Sequence, residues 1–188
     1  MPILNAVPRL SVLVLVAGLA SASATAAFAA GEETDGTQPP PKTETTTKCT
    51  DGKVWDKKKK ECVKADQSGF NDDDLYKAAR EFAYAGQYEN AIRVLQLASN
   101  QNDPRILNYL GYSNRKAGRM ELGMSFYKKA LQADENYILA RSYMGQALIE
   151  QGDVNAAKVQ LVEIRDRGGE NTWAYRSLLQ ALNGYRTY

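Results

Sequence analysis

Two cysteines, no histidine and a scatter of carboxylates limit the chemistry open to this 188-residue chain. Without histidine there is no Ser-His-Asp triad, no Cys-His pair and no imidazole metal ligand. Cys49 and Cys62 fall short of a four-ligand metal site, and they lack the Cys-x-x-Cys spacing of a redox pair. No glycine-rich phosphate loop is present. The carboxylate pairs Asp72-Asp73 and Asp134-Glu135 fall at expected helix ends, where capping accounts for them. A two-carboxylate glycosidase is the one enzyme class left open. The reading is a non-catalytic chain with no metal site and no cofactor.

What remains is cross-linking and recognition. Twelve residues lie between Cys49 and Cys62. In an exported chain such a pair is expected to form a disulfide, contributing about 2–4 kcal/mol by loop closure. Residues 48–64 (KCTDGKVWDKKKKECVK) read as a small stapled β-hairpin, with Asp51-Gly52 as a turn and Lys53-Val54-Trp55 as a strand. Seven lysines stand against Asp51, Asp56 and Glu61. Trp55 has two readings. It could stack on a sugar ring or meet an anionic surface, or it could pack across the hairpin while the lysines solvate it. The pattern Cys-x-x-Gly-x-Val-Trp-Asp-x5-Cys-Val resembles short disulfide modules of some secreted carbohydrate-binding and bacterial envelope proteins.

Export is read from residues 1–29. One basic residue, Arg9, precedes the apolar run Leu10–Ala20, and Ala27-Phe28-Ala29 suits signal peptidase. The run is well short of the ~20 residues that span a bilayer. The expected product is exported, soluble and periplasmic, with no membrane span after cleavage. Residues 30–47 are rich in Thr, Glu, Gly and Pro and read as a disordered linker. A formal net charge of +2 argues against bulk nucleic-acid binding.

From residue 70 onward the pattern is helical and periodic. Leu75, Ala79, Phe82, Gly86, Ala91 and Leu95 return as Leu107, Gly111, Asn114, Gly118, Gly123 and Tyr127. They return again with Gly145, Leu148, Gly152, Ala157 and Leu161. Gly86, Gly118 and Gly152 are 32 and 34 residues apart. A period of this size marks a solenoid, an architecture that mostly binds other molecules. Three helical pairs are expected, over about 72–103, 104–137 and 138–167. Asn71 and the acids after it cap the first helix, and Pro104 starts another. Trp173, Leu178, Leu179 and Leu182 mark a capping helix over 171–183, with Tyr175 and Tyr185 on its rim.

The segment NYLGYSNRKAGRMELGMSFYKKALQADE carries small and large residues in the order of the tetratricopeptide repeat (TPR), which the whole array resembles. Asn114 stands where an aromatic is usual, Arg141 where a large apolar residue is usual, and the proline common near the repeat end is missing. The resemblance implies an all-α fold, a right-handed TPR superhelix of three repeats over residues 70–188 with a C-terminal capping helix. It also implies a concave groove lined by the first helix of each pair. Carried over by position, that groove holds Tyr76, Arg80, Tyr84, Asn108, Tyr112, Arg115, Lys116 and Gln146. Tyrosine and arginine are frequent binding hot spots, so the expected partner is a protein or peptide of the cell envelope with polar or acidic groups. An ordinary solvated helix face is the competing reading. A carboxylate clamp is not expected, because Tyr76 and Ser142 replace what it needs. Self-association is a minor alternative, and glycan or surface binding through the hairpin is the main one.

Overall fold

A computed structural model describes residues 1 and 40–184. The expected signal segment, most of the linker and Tyr185 lie outside the described residues.

The helical part begins where the first caps predict. Asn71 closes a capping box with Asp74, each accepting the other's backbone N–H (2.9 and 3.3 Å), and so starts α2, Asp72–Tyr84. It is followed by α3, Tyr88–Leu95. Next come α4, Pro104–Lys116, and α5, Met120–Ala133. The last pair is α6, Ile138–Glu150, and α7, Val154–Asp166. The final element, α8, Trp173–Leu182, packs on α6 and α7. The Gln101 amide donates to the carbonyls of Leu95 and Ala98, closing the chain down soon after α3 ends.

Each pair reverses in the same way. Gly86, Gly118 and Gly152 have φ of 75, 85 and 85°, the left-handed region open to glycine. The N–H after each glycine donates back to the carbonyl five residues earlier, at 2.8 Å in all three turns. The closest pair is α4 with α5. A Cβ on Gly123 would stand 2.8 Å from the Gly111 carbonyl oxygen, and one on Gly111 would stand 2.6 Å from the Tyr127 ring.

One continuous core runs through all the pairs, with Leu75, Phe82, Leu95, Ile106, Tyr109, Tyr127, Leu139, Tyr143, Ile164 and Leu178 buried. Asp72 does more than cap. Its carboxylate accepts from Ser99 N–H, Ser99 Oγ and Asn100 N–H (2.7–2.9 Å), tying the start of α2 to the loop after α3.

The hairpin is real and is disulfide-bonded through Cys49 and Cys62. Its strands are β1, Val54–Asp56, and β2, Glu61–Val63, with Trp55 opposite Cys62. Its reversal falls at Lys57–Lys60 rather than at Asp51-Gly52. Asp56 Oδ1 accepts the N–H groups of Lys58 and Lys59 there and organises the turn. Gly52 belongs instead to a turn packed on Asn90 and Arg93 of α3. Val54 joins the main core, so the hairpin covers the open end of the first repeat.

The linker reading over 30–47 is corrected at its end. Residues Glu44–Thr47 form a short helix, α1, capped by Thr43. The physical reason is an acidic side chain supplied from elsewhere in the chain: Glu81 of α2 bonds Thr43 and Thr46.

Candidate functional site

The first helices α2, α4, α6 and α8 pack in succession. Along them runs a series of aromatic rings, Tyr76–Tyr109–Tyr143–Trp173, with centroids 5.5, 6.3 and 6.1 Å apart, each pair edge-to-face. A second line, Tyr84–Tyr112–Tyr143, has spacings of 6.3 and 5.0 Å. Offset and edge-to-face geometry is what the ring quadrupole favours. The Tyr84 and Tyr143 hydroxyls lie 3.3 Å apart. Tyr76, Tyr109 and Tyr143 recur at intervals of 33 and 34 residues. That regular tyrosine was a signal the sequence carried, and it identifies Tyr109 and Tyr143, which reading by family position passed over.

The residues expected in the groove lie on these first helices, but most of their surface is covered by one another. Tyr76 is 2% exposed, Asn108 0%, Tyr112 3%, Arg115 4% and Gln146 4%. Arg80, also buried, donates Nε–H to the Tyr109 hydroxyl at 3.0 Å. Arg105 covers Tyr76 at 4.9 Å from the ring centre and is itself held by Asp73 and Asp103. Gln146 donates to the hydroxyls of Ser177 (3.1 Å) and Ser142 (3.4 Å), beneath α8. Within the predicted set only Tyr84 and Lys116 keep substantial exposure. They stand at the turn end of the face, beside half-buried Tyr88, whose ring is 6.3 Å from Tyr112.

Electrostatics at this end are strong. Arg115, with a fully buried side chain, pairs with the half-exposed Glu150 at 3.2 Å and lies 5.7 Å from the Tyr112 ring. Partial burial, and then the Arg115 charge, lower the Lys116 pKa, with Glu150 opposing. Desolvation raises the phenols of Tyr109 and Tyr143 well above their ordinary value and also raises Tyr112; Tyr127 is pushed up to about 12. Burial thus extends the pH range over which these phenols stay neutral.

Trp55 is half-buried, with Lys48 Nζ 5.2 Å from its ring centre. It is among the residues lining a cleft against α2. No cluster of metal-binding side chains is present among the described residues, and no helix among them is long and apolar enough to cross a membrane. In comparisons with known proteins, the family model for the tetratricopeptide repeat matches residues 115–182. No curated protein matches the chain.

Proposed function

We propose, for a chain whose residues 115–182 match the family model of the tetratricopeptide repeat, a non-catalytic exported adaptor. Repeats of this family generally mediate protein–protein interactions and are typically non-catalytic. In this reading a protein or peptide partner of the cell envelope docks on the turn end of the first-helix face. The observation that carries it is a group of half-buried Tyr84, Tyr88 and Lys116 at the turn end, backed by the buried Tyr112–Tyr143 ring contact and the buried Arg115. Aromatic edges held in place lose little entropy on binding, and the fixed cation beneath them favours polar or acidic partner groups. Export and a periplasmic location rest on the signal layout of residues 1–29.

The test is crosslinking in intact cells followed by mass spectrometry. The expected result is one dominant captured protein whose yield drops sharply with Tyr84→Ala combined with Lys116→Ala. Undiminished capture by a folded double variant would remove this face from consideration. A second reading, glycan or surface binding through the basic hairpin, is favoured by one observation: Trp55 lines a cleft.

A further inference from the structure

A cleft of about 650 Å³ lies between the hairpin and α2. Its size is within the ~300–1,000 Å³ range of small-ligand sites. Four pieces of chain that are remote in sequence build it: residues 40–45, β1 with its turn, the connector at Gly69-Phe70, and α2. The walls are braced. Glu81 holds residues 43–46 on α2, the Thr45 hydroxyl accepts the Trp55 N–H at 3.2 Å, and the disulfide closes the hairpin.

The cleft carries apolar surface at Trp55 and Phe70 and a set of charges with an uneven balance. Its acids are already engaged. Asp56 takes the N–H groups of Lys58 and Lys59, Asp74 takes that of Asn71, and Glu81 takes those of Thr43 and Thr46. Its turn lysines are not. Lys57, Lys58 and Lys59 are exposed, and none forms a salt bridge among the described residues. Hydrogen bonds from neutral N–H groups leave the three carboxylates charged, but Lys57, Lys58, Lys59, Lys77 and Arg80 outnumber Asp56, Asp74 and Glu81 in the lining, so the net charge a ligand meets is positive.

We infer that this cleft binds a short acidic saccharide, with the Trp55 indole as the stacking plane and the turn lysines as partners for the ligand's carboxylate or sulfate groups. The inference rests on the second reading above. A sugar ring presents C–H groups to an aromatic face and hydroxyls to its rim, which suits a rigid plane ringed by polar groups. An extended peptide is disfavoured, because it would need a free strand edge. In this two-stranded sheet the outer edge of β1, which lines the cleft, is already blocked at Trp55, whose N–H is taken by Thr45.

The experiment titrates the full chain with trigalacturonate, a heparin tetrasaccharide, neutral chitotriose and hexaglutamate, followed by amide NMR shifts. An acidic saccharide should bind, should move the amides of residues 54–59 and 70, and should lose about tenfold in affinity in Lys58→Glu, the scale of one charge-assisted hydrogen bond. Lys58 is exposed, so this variant keeps the fold; Trp55→Ala should lose as much or more. Binding of chitotriose alone overturns the acidic class while leaving glycan binding by the hairpin intact. Binding of none of the saccharides overturns both. Equal binding of hexaglutamate, shifts confined to other residues, or unchanged affinity in Lys58→Glu also overturns the inference.

Discussion

Glu81 accepts both the backbone N–H and the hydroxyl of Thr43, each at 2.7 Å, across 38 residues of chain. The same carboxylate takes the N–H and hydroxyl of Thr46. A single acidic side chain of α2 thus anchors the segment that enters the fold. Glu81→Ala should release residues 43–47 and cost about 2–3 kcal/mol, less than the full sum of charge-assisted bonds because the freed threonines return to water. Urea unfolding measures the cost. Hydrogen exchange should show lost protection at the Thr46 and Thr47 amides with α4 to α8 unaffected.

The glycines of the second and third repeats should differ sharply in tolerance. Gly123→Ala brings a Cβ within 2.8 Å of the Gly111 carbonyl and 3.0 Å of the Arg115 nitrogen, both backbone atoms that cannot step aside. It should cost about 2–3 kcal/mol even after the helix-propensity gain. At Gly145 the three atoms nearest an added Cβ all belong to the Leu178 side chain, whose end can turn away, so Gly145→Ala should cost less. At Gly152 a methyl enters open space but the left-handed φ of 85° opposes it, so about 1 kcal/mol is expected. A thermal melt of the three variants gives the order.

Alkaline stability follows from the buried phenols. Burial raises the pKa of Tyr109, Tyr112, Tyr127 and Tyr143 in the folded chain, whereas unfolding returns each to about 10. Above that pH the folded state holds more protons than the unfolded state. Stability is therefore complete below about pH 10 and falls as pH rises toward 12, by about 1.4 kcal/mol per pH unit for each such phenol. Urea titrations at stepped pH should show this decline. Tyrosinate absorbance should appear together with loss of helical circular dichroism, rather than before it.

Replacing Cys49 and Cys62 by serine should loosen the hairpin without unfolding the repeats. The closed loop spans a sequence separation of 13, for which chain entropy implies about 3 kcal/mol. Exchange protection in β1 and β2 should collapse while the helical signal stays. Parallel loss of the helical signal would mean that the hairpin's cover of the first repeat through Val54 is indispensable.

Much of the architecture was legible because its causes are local. The three turn glycines, the Asn71 capping box and Pro104 each act within a few residues, so they set the helices where the apolar period places them. With only two cysteines in the chain, the pairing of Cys49 with Cys62 could be read directly. Surface exposure was not legible. The period tells which stripe of α2, α4 or α6 is apolar, but the polar flank of one first helix packs on the next first helix, roughly 30 residues away. Arg80 therefore meets Tyr109, Gln146 meets Ser177 under α8, and Asn108 disappears from solvent. The reach of Glu81 to Thr43, and the cleft shared by Trp55 and Phe70, likewise bring together residues from separate segments. No short-range pattern encodes such meetings; they exist only once the chain has folded back on itself.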